Sequence, residues 1–428
     1  MKRNVLVFPC GSEIGLEVYK SLHFSTHFKL FGGSSIDDHG KFIYKNYIDN
    51  IPFVDAVDFI DKLNEIIEIY HIDFIVPTHD SVVLKLAQES AKGDLGCVVI
   101  TSPVATCEVA RSKLKTYETL KGIVPTPHIH KNIKAIAASD FPVFLKPEIG
   151  QGTKGTYLAK SRDEVEFHIK KDPTLNILEY LPGKEYTIDC FTNKDSKLLF
   201  CEGRERIRIS GGISVNSASV KDARFNDLGA KLNSHLDFKG VWFFQVKENT
   251  KGDLVLMEIA PRVAGTMGLV RCKGVNLPLL SLFDAMGLEV DIIENNYSIV
   301  IDRALQNIYK HNLKYSNVYI DLDDLIIFEG KVNTDVVAFL FQCINKKINI
   351  HLLTKHKDNL KDTLHNYKLS GIFDELILVD DEVEKFSYIK AKDAIFIDDS
   401  FAERKKVHDV CNIPVFDASM LEGLMEGE

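Results

Sequence analysis

None of the eight cysteines stands in a CxxC pair, and none shares a metal-like spacing with a histidine. Thiols scattered in this way read as reduced, small apolar side chains, which excludes a disulfide scaffold and a cysteine-ligated zinc module. No stretch nears the roughly 18 apolar residues that a membrane span needs. Basic charge is in deficit: the net charge of −9 leaves no electrostatic footprint for nucleic acid. Internal repeats and low-complexity tracts are also missing. After Met-Lys-Arg-Asn come only four apolar residues, Val5 to Phe8, too few for a signal peptide. They read as a first strand. The expectation is a cytoplasmic protein with neither nucleic acid nor membrane as partner.

At 428 residues the chain exceeds what one core usually holds, and 45% hydrophobic with 26% charged residues is ordinary for globular domains. Short apolar runs at Val5–Phe8, Lys29–Gly32, Phe74–Pro77 and Cys97–Ile100 alternate with helical patterns, Phe59–Tyr70 among them. That alternation predicts a parallel, doubly wound sheet. Beyond Thr101-Ser102-Pro103 the strands lengthen and turn signals appear at Lys194-Asp195 and Lys251-Gly252-Asp253, as in α+β units on antiparallel sheet. A third segment opens at Asn317–Ile320 after a short linker, about His311 to Ser316, and alternates strands and helices again. The expected class is therefore mixed α/β and α+β, multidomain, with boundaries at 1–104, 105–312 and 313–428.

In the middle segment an apolar strand, Phe141–Pro147, delivers Lys146 to a loop containing Gly150, Gly152, Thr153, Lys154 and Gly155. Glycines let backbone N–H groups approach a phosphate, and a lysine adds a point charge. The GxxxxGK[ST] spacing of a P-loop is absent. Alone, the loop reads equally well as a plain hairpin. Downstream stand Asn176–Asp189, then Phe243-Phe244-Gln245-Val246-Lys247, then Leu256-Met257-Glu258-Ile259-Ala260-Pro261-Arg262. In their order and spacing these motifs resemble the ATP-grasp superfamily, particularly its carbamoyl-phosphate-synthase-like branch, over residues 1–310.

The resemblance implies a Rossmann-like domain ahead of an ATP-grasp domain, with ATP and Mg²⁺ (or Mn²⁺) as cofactors. It places Lys113 and Lys146 on the nucleotide and Gly150 to Gly155 over the β- and γ-phosphates. Glu179, Tyr180 and Leu181 would read the adenine, and Glu185 the ribose hydroxyls. Gln245 and Glu258 would hold the metal, and Arg262 would stabilise the transferring phosphoryl group. Two departures weaken the metal site: Ala260 replaces the usual Asn, and Gln245 is neutral where a carboxylate is commoner. Glu258 and Arg262 could alternatively form a purely structural ion pair. Arg204, Arg206 and Arg208 alternate along a strand, so they share a face and either clamp a substrate carboxylate or acyl phosphate, or form a solvated basic strand. His79 and Asp80 are candidates for the acceptor pocket.

Three strands of the last segment end in polar groups: Asp321-Leu322-Asp323-Asp324, then Thr354-Lys355, then Asp398-Asp399-Ser400. Parallel strands would gather these residues at one edge. The order resembles the haloacid-dehalogenase superfamily over residues 315–420, without a cap. By that resemblance Asp321 is a nucleophile, Asp323 a general acid/base and Thr354 a phosphoryl-oxygen ligand. Lys385 is the charge-balancing lysine, with Lys390 and Lys392 as competitors, and Asp398 holds the metal with Asp321 and Asp323, Asp399 being a further candidate ligand. Leu325 stands where the family carries Thr. A retired fold kept for docking is the other reading.

Together these motifs imply a ligase that joins a small-molecule carboxylate to an amine or other nucleophile through an acyl phosphate. A phosphatase-like module for a phosphorylated metabolite would follow it; the sequence leaves the oligomeric state open, with a homodimer as one candidate. A nucleotide-binding regulatory protein with weakened sites, or an ATP-grasp phosphotransferase, is the alternative.

Overall fold

Successive side chains of β1 (Arg3–Phe8) leave the backbone on opposite sides, and both sides are apolar. Val5 and Val7 pack with Val18 and Leu22 of the helix Glu13–Leu22, while Leu6 and Phe8 pack with Phe59, Leu63 and Ile67 of the helix Phe59–Tyr70. A strand buried on both faces belongs inside a parallel sheet. The structure, a computed structural model, describes residues 2–150 and 155–425. By backbone contacts the chain divides into two units, Met1–Leu305 and Gln306–Glu428.

In the first unit β1 pairs in parallel with β2 (Phe28–Gly33), which carries β3 (Tyr47–Ile48). On its other side lie β4 (Phe74–Pro77) and then β5 (Val98–Val99). The order β3-β2-β1-β4-β5 reverses at β1, so a crevice opens at the carboxyl ends of β1 and β4. Two helices begin there. The Ser12 hydroxyl caps Glu13–Leu22 by accepting from the Gly15 N–H (3.2 Å), and the His79 Nδ1 caps Asp80–Lys92 by accepting from the Ser81 N–H (3.3 Å).

Two antiparallel sheets follow. The smaller contains β6 (Ile129–His130), β7 (Val143–Pro147), β8 (Tyr157–Ala159) and β9 (Leu175–Glu179), in the order β6-β9-β7-β8. The larger is built from β10 (Glu185–Thr192), β11 (Leu198–Ser210), β12 (Ile213–Val220), β13 (Gly240–Glu248), β14 (Leu254–Ala260) and β15 (Val300–Asp302). Its order is β14-β13-β10-β11-β12-β15. Phe238, Trp242 and Phe244 fill its core, with the Phe238 and Trp242 rings stacked 3.7 Å apart.

The second unit repeats the first design. β16 (Asn317–Ile320) is central, with β19 (Asn349–Thr354) and β20 (Glu375–Leu378) on one side. On the other side lie β21 (Ala394–Ile397) and β22 (Val415–Phe416), and all five strands are parallel. Val318 and Ile320 face one core, Tyr319 the other. A small hairpin, β17 (Ile327–Phe328) and β18 (Lys331–Val332), turns at Glu329 and Gly330, both with positive φ (50° and 70°). Leu325, at the position where a threonine was the family expectation, is fully buried in this core.

Phe238→Ala should destabilise the first unit by about 3–5 kcal/mol, the usual range for an aromatic deletion in a packed core. Trp242 is the chain's one tryptophan and lies under that ring. Urea denaturation followed by tryptophan fluorescence reads the effect directly, and an unshifted midpoint would contradict this packing.

Candidate active sites

Lys113 opens the helix Lys113–Thr119 and is buried, with its ammonium on the carbonyls of Glu148 (3.4 Å) and Gly150 (3.3 Å). Burial, with the nearby Lys146 ammonium adding to it, pushes Lys113 down from 10.5 to about 8. Two cations lie close together at the foot of the glycine loop, and the fields of Glu258 and, less strongly, Asp80 oppose the shift. This is an environment short of negative charge, and a polyphosphate fits it. Gly152, Thr153 and Lys154 lie outside the described residues. Gly155 has φ of 71°, a left-handed conformation that glycine adopts without strain.

Glu179, Tyr180 and Leu181 sit where β9 passes into β10. The Glu179 carboxylate accepts the His128 N–H (3.1 Å), and the Glu179 N–H donates to the His128 carbonyl (2.9 Å). Tyr180 is half-buried and Leu181 buried. Glu185, expected on the ribose, is engaged with Arg206 (2.9 Å) and Lys247 (3.6 Å), cations that β11 and β13 bring beside it.

Gln245 on β13 lies directly opposite Glu258 on β14. They supply one amide oxygen and one carboxylate, hard donors that suit Mg²⁺ shared with phosphate oxygens. Ala260 is buried against the core and offers no ligand. Arg262 does not pair with Glu258. Its Nε and Nη2 reach Asp80 at 2.5 and 3.1 Å, its Nη1 donates to the Val263 carbonyl (3.0 Å), and its guanidinium lies over the Phe243 ring. Burial pushes the Asp80 carboxyl up, but the charge and hydrogen bonds of Arg262, with Arg111 beyond it, hold it below its ordinary value.

These groups border a cavity of about 350 Å³ at the crevice, walled by Thr78 to Asp80 just after β4, the start of the helix Glu13–Leu22 and the larger antiparallel sheet. Arg204 is buried in an ion pair with Asp189 and donates from Nε to Thr266 (2.8 Å). Arg206 lines the same cavity, and so do His79 and Asp80. Arg208 does not. The register of β11 shifts on either side of it, and its guanidinium turns to Asp302 with both contacts at 2.8 Å. A bulge breaks the period-two expectation at that point. Glu13, Arg111 and Arg303, unremarked in the sequence, also border the crevice or the adjoining pocket.

In the second unit Asp321 and Asp398, at the ends of β16 and β21, are joined by Lys385. Its ammonium lies 2.8 Å from Asp321 and 2.6 Å from Asp398, and all three groups are buried. Lys385, rather than Lys390 or Lys392, therefore reaches the carboxylates. Burial and the neighbouring Asp321 charge push Asp398 up to about 6, against the pull of Lys385. Asp321, Asp398 and the exposed Asp399 present oxygens within 4.8 Å of one another, a donor set that fits a divalent cation. Asp323 stands outside this trio. Both of its oxygens face His356 Nδ1 at 3.0 Å, while His356 Nε2 meets Thr363 (2.8 Å) and the His356 N–H donates to Thr354 (3.2 Å). Thr354 is fully buried at the end of β19.

Residues 171–305 match the family described as ATP-grasp in the biosynthetic pathway with Ter operon. No curated protein matches the sequence. Biotin carboxylase from Campylobacter jejuni, solved as a complex with β,γ-ATP, is similar with a TM-score of 0.59 at 14% identity, over 70% of this chain and 75% of that one. N5-carboxyaminoimidazole synthetase from Staphylococcus aureus is similar with a TM-score of 0.55 at 16% identity, over 68% and 79%. L-amino acid ligase from Bacillus licheniformis is similar with a TM-score of 0.53 at 14% identity, over 67% and 74%. These likenesses show the fold, a mixed α/β multidomain architecture with an ATP-grasp domain. None of these matches names a haloacid-dehalogenase domain. Among the described residues no helix is long and apolar enough to cross a membrane.

Asp80→Asn should destabilise the first unit by about 3 kcal/mol, because it strands a largely buried guanidinium. Adding Arg262→Met should restore part of the loss. A double-mutant cycle in urea denaturation checks this, and additive losses would mean that the pair is not coupled.

Proposed function

We propose that the first unit is an ATP-dependent ligase that joins a small-molecule carboxylate to an amine through an acyl phosphate. The observation that carries this reading is the buried Lys113 ammonium, on the carbonyls of Glu148 and Gly150, beside Lys146 and within the field of Glu258. Such a site calls for polyphosphate. A carboxylate resists nucleophilic attack because of its own charge, and transfer of a γ-phosphoryl group removes that obstacle. Mg²⁺ held by Glu258 and Gln245 would neutralise charge on the phosphate oxygens. Lys113 and Lys146 fix the polyphosphate, and Arg262, immobilised by Asp80, presents its remaining N–H groups to charge that develops on the phosphoryl oxygens. The cavity beside Arg262 then receives the acceptor.

The second unit we assign a phosphohydrolase role, supported by the Lys385 bridge between Asp321 and Asp398. Asp321 attacks phosphorus and displaces the leaving oxygen, to which Asp323 gives a proton. Asp323 then takes a proton from water, the water oxygen attacks the same phosphorus, and Asp321 is released. Lys385 balances the carboxylates while phosphate is absent.

Substrate-dependent ADP release with Mg-ATP and pooled carboxylates and amines should fall at least a hundredfold in Glu258→Ala and persist in Asp321→Ala. Phosphate release from small phosphomonoesters should show the reverse. Equal loss of both activities in both variants would overturn the division of labour.

The Lys113 ammonium is charged below about pH 8, and bound polyphosphate favours that charged form. Mg-ATP affinity should therefore be level below pH 8. Above it the affinity should weaken, by up to about tenfold per pH unit, until the complex itself loses the proton. Lys113→Met should bind more weakly and without this slope. Calorimetric titrations from pH 7 to 9.5 test it, and a slope that survives Lys113→Met would assign the proton elsewhere.

A further inference from the structure

We infer that the crevice of the first unit takes an α-amino acid as the amine substrate, its ammonium on Glu13 and its carboxylate on Arg303. This inference rests on the ligase reading above. A cavity of about 350 Å³ suits a small metabolite. Most charges around it cancel within the protein: Arg204 with Asp189, Arg206 with Glu185, Arg262 with Asp80. His79 is occupied in capping its helix, and Glu258 belongs to the phosphate end beside Lys113. Two opposite charges are left. Arg303 donates to the Ser214 carbonyl (3.2 Å), and neither it nor Glu13 takes part in an ion pair among the described residues.

Glu13 and Arg303 flank the same piece of bare backbone. A methyl group placed on Gly265 would lie 3.4 Å from both Glu13 Oε1 and Arg303 Nη1, and 2.9 Å from Glu13 Cγ. The two groups are thus near enough for one small molecule to touch both, yet they do not neutralise each other. A zwitterion laid over Gly265 supplies each with its complement, and a substituent at this glycine would fill that space. The orientation follows from their neighbours. Glu13 lies close enough to Arg262 to favour its charge, and Arg303 close enough to Arg204 to oppose its charge. The ammonium end consequently faces the phosphoryl-transfer residues and the carboxylate end faces β12. The bound ammonium gives a proton to Glu13, and from there it passes to solvent. The amine nitrogen then attacks the acyl phosphate carbon and a C–N bond forms; the bond from that carbon to the bridging oxygen breaks, the nitrogen gives its second proton to the departing phosphate, and inorganic phosphate leaves.

The test uses the full chain saturated with Mg²⁺ and adenylyl-imidodiphosphate, titrated calorimetrically with each of the twenty L-α-amino acids. The best binder is then compared with its 2-hydroxy acid and its decarboxylated amine. Each analogue should bind at least tenfold more weakly. Glu13→Gln should abolish the preference over the hydroxy acid, and Arg303→Met the preference over the amine, with Arg303→Lys keeping part of it. Nucleotide binding without any amino-acid binding would overturn the substrate class and leave the ligase reading in place. Equal binding of the analogues, or variants that leave both preferences intact, would do the same. Failure of the wild type to bind the nucleotide would remove the ligase reading and this inference with it.

Discussion

The forked contact between Asp80 and Arg262 organises the first unit. Asp80 opens a helix at the carboxyl edge of the parallel sheet, and Arg262 follows the last long strand of the antiparallel sheet, 182 residues away in the chain. A largely buried guanidinium needs a carboxylate, and a largely buried carboxylate needs a cation. Each therefore dictates where the other's sheet must sit. The cavity lies at that contact, with both Asp80 and Arg262 in its wall. Phe243 beneath the guanidinium and the Val263 carbonyl at its edge leave the arginine little freedom, which suits a group that must meet developing charge without first reorganising.

Much of the architecture could be read from residue pattern because burial leaves a local trace. The double-sided apolar runs at Val5–Phe8 and Val318–Ile320 announced parallel strands, and Phe59–Tyr70 had the period of the helix it forms. Lys113, Gln245, Glu258 and Arg262 were visible as spaced motifs and line adjoining pockets, with Lys146 close to Lys113. Pairing was less legible. Nothing local indicates that Glu185 is shared between Arg206 and Lys247, or that Arg262 chooses Asp80 over Glu258. Both are outcomes of which strands become neighbours. Arg208 escaped for a different reason: a bulge, invisible in a run of alternating residues, turns it out of the series. Glu13, Arg303 and His356 stand in no recognisable spacing, and only the fold brings them to their sites.

The second unit solves a different electrostatic problem. Asp321 and Asp398 are buried side by side, an arrangement that repels itself in a low-dielectric interior. Lys385 lies between them and makes the cluster tolerable, while the charge of Asp321 and the loss of water still hold Asp398 near pH 6. Asp323 is kept apart from this balance by His356. The two carboxylates of the Asp-Leu-Asp segment therefore work in separate environments, one among buried acids and an ammonium, the other against an imidazole and a hydroxyl.

Both parallel sheets have the same strand order, with the direction of winding reversing at the central strand. A strand at that position contributes its side chains to two cores and its carboxyl end to neither. Just beyond it some side chains still pack, Cys10 and Leu322 among them, while polar ones such as Glu13 and Asp323 lie outside the apolar cores and can change while the sheet stays as it is. In this chain the same scaffold edge carries Ser12 and Glu13 in one unit and Asp321 and Asp323 in the other. Two different sets of polar side chains have thus been placed on one piece of geometry within a single polypeptide.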